Sequence, residues 1–283
     1  MNQFPDQTVS LGSLQKVFGP NRVNVRLLLW TALVFVLVGL VLVGMGTGKK
    51  YPRDKAAFVG GGVVLLFMAA GLYLGSRAQL QVQVEVYGLG FATTDGLGRR
   101  RFCRWDDIDA VYEFIGYYRA TYRPNQWVYT VRARDGQQIK LGMTIDNVQG
   151  LGHTILSEVG KRRLPQALKT YRAGGLVDLG QISLSSQGLV SGQQLLPWDQ
   201  VDKIRFGRMG DVSIYQKDKR IPWKTIPHPR IANYPLFRAV IHQVAIPPRT
   251  QAIIEDPTFV LPQPVAQPRD SETTLSQKGK GRV

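Results

Sequence analysis

The amino-acid sequence predicts a membrane α-hairpin followed by a mainly β part. That part divides into two like modules, each an antiparallel β-barrel or sandwich closed by a C-terminal helix. Three observations carry this. Residues 27–46 and 56–76 are uncharged apolar runs, separated by a short polar loop. Beyond them the pattern switches to apolar and polar residues in alternation, the period of a strand with one buried face. A Trp-Asp signature then occurs twice at the same internal spacing.

The expected division is a polar lead over 1–26, the hairpin over 27–76, a first module over 78–165, a second over 172–246 and a disordered tail over 247–283. The lead is short and polar, punctuated by Gly19-Pro20. Each apolar run has about the ~20 residues that an α-helix needs to cross a ~30 Å hydrocarbon core. The first, LLLWTALVFVLVGLVLVGMG, has no polar stripe and is apolar all round. In lipid every backbone N–H and C=O must be satisfied within the segment, which selects a helix. Trp30 and Tyr73 lie near the ends of the runs and Tyr51 in the loop, where amphipathic rings meet a membrane interface. A cleaved signal peptide is disfavoured by the length of the first run and the second that follows at once.

The loop over 47–55 forces an antiparallel pair, so both termini lie on one side. Gly44 with Gly48, and Gly71 with Gly75, offer close-packing surfaces of the small-xxx-small type. Neither run carries an ionisable residue, which argues against an ion path. Lys49, Lys50, Arg53 and Lys55 in the loop nearly balance Lys16, Arg22, Arg26 and Arg77 on the other side. The basic soluble part and the single cysteine favour cytoplasmic termini in an inner (plasma) membrane, with the chain multi-pass.

The formal net charge is +16. Between residues 77 and 246 there are 24 Lys and Arg against 14 Asp and Glu. A basic domain tied to a bilayer meets anionic headgroups first, at about 1 kcal/mol per Lys or Arg near the surface. Nucleic acid is the competing polyanion, but no recognition element accompanies the charge. Cys103 is the only cysteine, so neither an internal disulfide nor a cysteine metal site is expected.

Strands are expected over 78–87, 89–93, 100–105, 110–116, 127–134 and 137–141, with Asp95-Gly96 and Asp135-Gly136 marking tight turns. Val148, Leu151, Ile155, Leu156 and Val159 then fall at helical spacing, predicting a helix over 145–160 with Asp146 as its cap. Residues 161–175, with three basic residues, Pro165 and Gly174-Gly175, are expected to be a connection. The order then recurs, with strands over 176–185, 189–191, 194–197, 203–207, 212–216 and 219–223. A helix is expected over 230–244, with Pro235 in its first turn.

The repeat is the sharpest local feature. Trp105, Asp106, Ile108 and Asp109 correspond to Trp198, Asp199, Val201 and Asp202. Similar copies in series imply two like modules. The physical reading is a corner: Trp ends a strand and plugs the core, Asp caps the turn, and Ile or Val re-enters the core. Gly88-Leu89 upstream is expected to answer Gly188-Leu189. A strand, a Gly turn, a second strand ending in Trp-Asp-x-Ile/Val, further strands and a closing helix resemble the bacterial pleckstrin-homology-like domain. The resemblance covers two copies over about residues 80–244, plus the hairpin. It implies a curved antiparallel barrel of about seven strands capped by the helix, in proteins of unknown function, and it carries over no catalytic residues.

No catalytic or cofactor motif is found. Gly88-Leu89-Gly90 lacks the third glycine of a dinucleotide fingerprint, and there is no Walker loop, zincin or nucleophile-elbow signature. His153, His228 and His242 are scattered, and Cys103 in an alternating strand suits a packed side chain. No cofactor and no metal are therefore expected. What remains is charge. Arg99, Arg100, Arg101 and Arg104 crowd one hairpin, and Lys217, Lys219, Arg220 and Lys224 crowd what reads as the matching region of the second copy. Tyr117, Tyr118, Tyr122 and Trp127 flank a loop with Arg119 and Arg123. The favoured expectation is a non-enzymatic membrane protein presenting two modules to anionic headgroups or to another protein. A membrane-tethered scaffold that binds peptides or a second copy of itself is the alternative. An enzyme of unrecognised type, centred on Asp106, Asp107 and Asp109, is the third.

Overall fold

A computed structural model of the chain describes residues 11–117, 124–207, 210–244 and 254–255. Two helices form the hairpin, α1 (Arg22–Thr47) and α2 (Pro52–Leu80). Both are long and apolar enough to cross a membrane, and only 11% of the most apolar stretch of each is buried. That exposure separates them from the core helices of a soluble protein. The Asn21 side chain caps α1 by accepting from the Val23 and Asn24 amides, and Pro52 opens α2 with φ preset for a first turn.

The residues buried between the helices recur every seven positions: Val25, Ala32, Gly39 and Gly46 on α1, and Gly62, Ala69 and Ser76 on α2. A seven-residue repeat of small residues keeps one seam facing the partner and lets the backbones approach. A methyl group on Gly62 would lie 2.6 Å from the Gly39 carbonyl oxygen. The expected small-xxx-small positions are not in this contact. Gly44, Gly71 and Gly75 have nothing within 4 Å of where a Cβ would stand, and Gly48 meets only the Met45 carbonyl.

The first module holds two sheets. One has the order β1-β2-β3-β4, from Leu14–Phe18, Gln83–Tyr87, Gly90–Thr94 and Arg100–Arg104. The other has the order β5-β6-β7, from Ile108–Tyr117, Pro124–Ala133 and Gln138–Leu141. Both sheets line one interior with α3 (Val148–Arg172), where Val86, Phe91, Val111, Tyr129, Leu151 and Ile155 are all buried. Within the expected polar lead lies β1, which precedes the hairpin in sequence yet pairs antiparallel with β2 after it. The antiparallel helices bring residues 14–18 back beside the strand that leaves α2. Helix α2 itself runs to Leu80 and shortens the strand expected from residue 78.

The second module also holds two sheets, with one strand more. One sheet has the order β11-β10-β9-β8, from Gln194–Pro197, Gly188–Ser191, Ser183–Leu184 and Val177–Asp178. The other has the order β14-β13-β12-β15, from Pro222–Ile226, Val212–Gln216, Val201–Phe206 and Ile254–Glu255. Helix α4 (Tyr234–Val244) packs on a separate interior of Leu184, Leu189, Ile204, Ile214 and Phe237. Strand β15 belongs to the tail expected to be disordered, and it runs parallel to β12. The remainder of that tail lies outside the described residues.

No sheet closes on itself among the described residues, so the expected barrels are not formed. A three-residue 3-10 turn, Trp105–Asp107 or Trp198–Gln200, breaks the ladder between the last strand of one sheet and the first of the next. Helix α3 is one element through Pro165, which overturns the connection expected over 161–175. Its cap is Asn147, whose Oδ1 accepts from the Gly150 amide at 3.2 Å, and not Asp146.

Candidate functional site

The turn of the β3–β4 hairpin is built by Asp95. Its Oδ1 accepts from the Leu97 amide at 2.9 Å and from the Arg99 amide at 3.0 Å, and Gly98 supplies the positive φ of 75°. The tip rests on the last turn of α2, where a methyl group on Gly96 would lie 3.1 Å from the Ala78 carbonyl oxygen. The loop between β7 and α3 is tied to the start of α1. The Asn21 amide donates to the Thr144 carbonyl at 2.8 Å, the Asn24 Nδ2 to Met143 O at 3.0 Å, and the Asp146 amide to Gly19 O at 2.9 Å. Hairpin and loop therefore stand together where both apolar helices meet the first module.

Between them lies an open cavity of about 250 Å³, lined by Val82, Thr93, Thr144, Arg99, Arg101 and Lys140 among others. The four clustered arginines have separate fates. Arg99 Nε pairs with Asp95 Oδ2 at 2.8 Å. Arg100 points to the other face of β4 and binds Glu85 and the Tyr87 hydroxyl. Arg101 lines the cavity and makes no ion pair among the described residues. Arg104 is exposed at the far end of β4, beside the Trp105 corner. Lys140, from β7, was not singled out in the sequence; it faces Arg101 across the two sheets.

The other basic cluster is elsewhere. Lys217, Lys219 and Arg220 are exposed on the β13–β14 hairpin. In the repeated strand order this hairpin answers β6–β7, the Asp135-Gly136 turn, and not β3–β4. The expectation that the two basic runs match is thus wrong. Residues 118–123, with Tyr118, Tyr122, Arg119 and Arg123, lie outside the described residues.

The repeated motif forms corners. Trp105 is buried, donating from Nε1 to Gly88 O at 3.2 Å, and Trp198 is half-buried, donating to Ser185 O at 2.9 Å. Ile108 and Val201 re-enter the two cores. The aspartates do not cap the turns. Asp109 is held by Arg132 at 2.6 Å, Asp106 lies 3.8 Å from Arg162, and Asp199 and Asp202 are exposed. The true glycine match is Gly90 with Gly188, not Gly88. A methyl group on either would lie 2.3 Å from Cys103 O or 2.1 Å from Leu196 O.

Three further residues form a buried polar group that sequence spacing could not reveal. Glu113 accepts from the Tyr129 hydroxyl at 2.7 Å, and its other oxygen lies 3.2 Å from His228 Nε2 of the second module. Burial works to raise the Glu113 carboxyl, but His228 and Tyr129 outweigh it and hold the group below its ordinary value. Asn233 completes the seam, accepting from the Val111 amide at 3.0 Å while its own amide donates to Val111 O at 2.8 Å. Burial, with the nearby Asp107 and Asp135 charges, pushes the Cys103 thiol up to about 12, so it is protonated at neutral pH. Among the described residues no group of three or more His, Cys, Asp or Glu could hold a metal ion.

No curated protein matches the sequence. Residues 1–250 match the family described as a family of unknown function, DUF6585, a span that covers the hairpin and every described strand except β15. The chain belongs to the family DUF6585.

Proposed function

We propose that the protein is a non-enzymatic, multi-pass membrane protein whose first pleckstrin-homology-like module binds anionic lipid headgroups. The supporting observation is the position of the cation-lined cavity. Arg101 and Lys140 line it at the level where α1 begins and α2 ends, with Arg99 at its rim. A headgroup phosphate at that depth meets two uncommitted charges without leaving the bilayer surface. Exposed Arg22 and Arg26, in the first turns of α1, add to the same field. Both termini and the modules lie on the cytoplasmic face of the plasma membrane in this reading, where anionic lipid is concentrated.

The test uses the full chain in neutral detergent, because a fragment beginning after α2 would lack β1. Calorimetric titration with short-chain phosphatidylglycerol is expected to show saturable binding that weakens with salt. Equal binding of short-chain phosphatidylcholine would overturn the headgroup reading. Release of the protein from membranes by alkaline carbonate would overturn the anchor.

A further inference from the structure

A second cavity, of about 350 Å³, opens where the two modules meet, between β6, the C-terminal half of α3 and the β8–β9 turn. Its charged lining is Arg132, Arg134 and Arg163 against Asp109 and Asp178, with Gln166 and Thr170 between them. The carboxylates are already engaged. Asp109 Oδ2 takes both Arg132 Nε at 2.8 Å and Nη2 at 2.6 Å, and Asp178 Oδ1 accepts from the Gly180 amide at 3.0 Å. Arg134 is exposed at the rim and makes no ion pair among the described residues. Arg163 spends one Nη2 hydrogen on the Ile108 carbonyl and stands 3.9 Å from Asp109 Oδ1, too far for a close pair. Two guanidiniums with spare N–H groups thus converge on a concave, partly desolvated space. Burial lowers the Arg163 group from its ordinary value; Asp109 opposes this, and the neighbouring Arg134 and Arg132 add to it.

We propose that this junction is a binding site for a small water-soluble oxyanion, the phosphate or carboxylate group of a small molecule, held by Arg134 and Arg163. The planar guanidinium fork suits such groups, and a pocket walled by two modules suits a small ligand. A lipid headgroup is disfavoured by position. None of the residues lining this cavity belongs to either apolar helix, whereas the first cavity is lined by Gly96 and Thr144, which touch the end of α2 and the start of α1. A ligand here touches both modules and would tighten their junction.

The experiment is calorimetric titration of the full-length protein in detergent with inorganic phosphate at constant ionic strength. Saturable binding is expected, weakened about tenfold in Arg134→Ala, the loss of one charge-assisted contact, and further in Arg134→Glu. Arg134 is exposed and its replacement leaves the core untouched, so the thermal transition of both variants should match the parent. Arg101→Gln should bind phosphate as the parent does. No saturable binding by the parent, or equal binding by both Arg134 variants, would overturn the proposal. So would loss of short-chain phosphatidylglycerol binding in Arg134→Ala, which would make the cavity a lipid site. Failure of the headgroup reading at Arg101 leaves these outcomes unaffected.

Discussion

The double variant Arg101→Gln/Lys140→Gln isolates the proposed headgroup contact. Of the cations in the β3–β4 hairpin, Arg99 is neutralised by Asp95 at 2.8 Å and Arg100 by Glu85, so neither has a full charge to offer. Arg101 and Lys140 do, and both face the cavity. At about 1 kcal/mol per basic residue near an anionic surface, removing both costs about 2 kcal/mol. That is roughly a 30-fold loss of affinity for short-chain phosphatidylglycerol at low salt. Arg100→Gln serves as the contrast. It removes a charge of similar sequence position whose partner is internal, and it should change binding less than about threefold while lowering stability. Isothermal titration of full-length protein in neutral detergent reads both. If the double variant binds like the parent, or if Arg100→Gln is the more damaging to binding, the assignment of the free cations is wrong.

Two further outcomes follow from the buried groups. Glu113→Gln should destabilise the chain at pH 7 by about 2–3 kcal/mol, since a charged acceptor serves Tyr129 and His228 in a buried seam. The Glu113 carboxyl is held below its ordinary 4.5, so its contribution is complete above that value and is lost as pH falls through the lower, folded one. Chemical denaturation of parent and variant should therefore converge in acid; a gap that persists there would refute an ionised Glu113 carboxylate as the source of the difference. Gly90→Ala and Gly188→Ala should each cost about 1–3 kcal/mol in the same assay, because each new methyl group meets a carbonyl of the next strand. A stability change near zero in both would show that the two corners are not built alike.

The legibility of the fold tracks how local its causes are. The apolar runs were readable because lipid-facing helices need only composition. Strands such as β10, β11 and β13 were readable because alternation is local, and both Trp corners were readable because a large ring placed just before a turn has few other uses. Sequence reading erred where a neighbour decided. Pro165 and the run Lys161, Arg162 and Arg163 looked like a linker. In the structure Arg162 reaches Glu158, Asp106 and Gly88 O, and Arg163 reaches Ile108 O, so these residues dock a continuing helix on the first module. The small-xxx-small pairs were more visible than the seven-residue seam through Gly39 and Gly62, which is diluted by Ala and Ser. The second basic run had the right composition but belongs to a different hairpin of the repeat.

By itself the sequence determined that two apolar helices precede a mostly β part, and that a Trp-Asp turn occurs twice within it. Those properties depend on side chains within a few positions of one another. Tertiary structure alone decided that Leu14–Phe18 completes the first sheet across the hairpin. It also decided that Arg101 and Lys140 share a cavity, and that Glu113 and Asn233 join the modules. Each of these joins positions tens to more than a hundred residues apart. No local pattern encodes such a meeting, because it follows from which faces the antiparallel helices and the four sheets bring together.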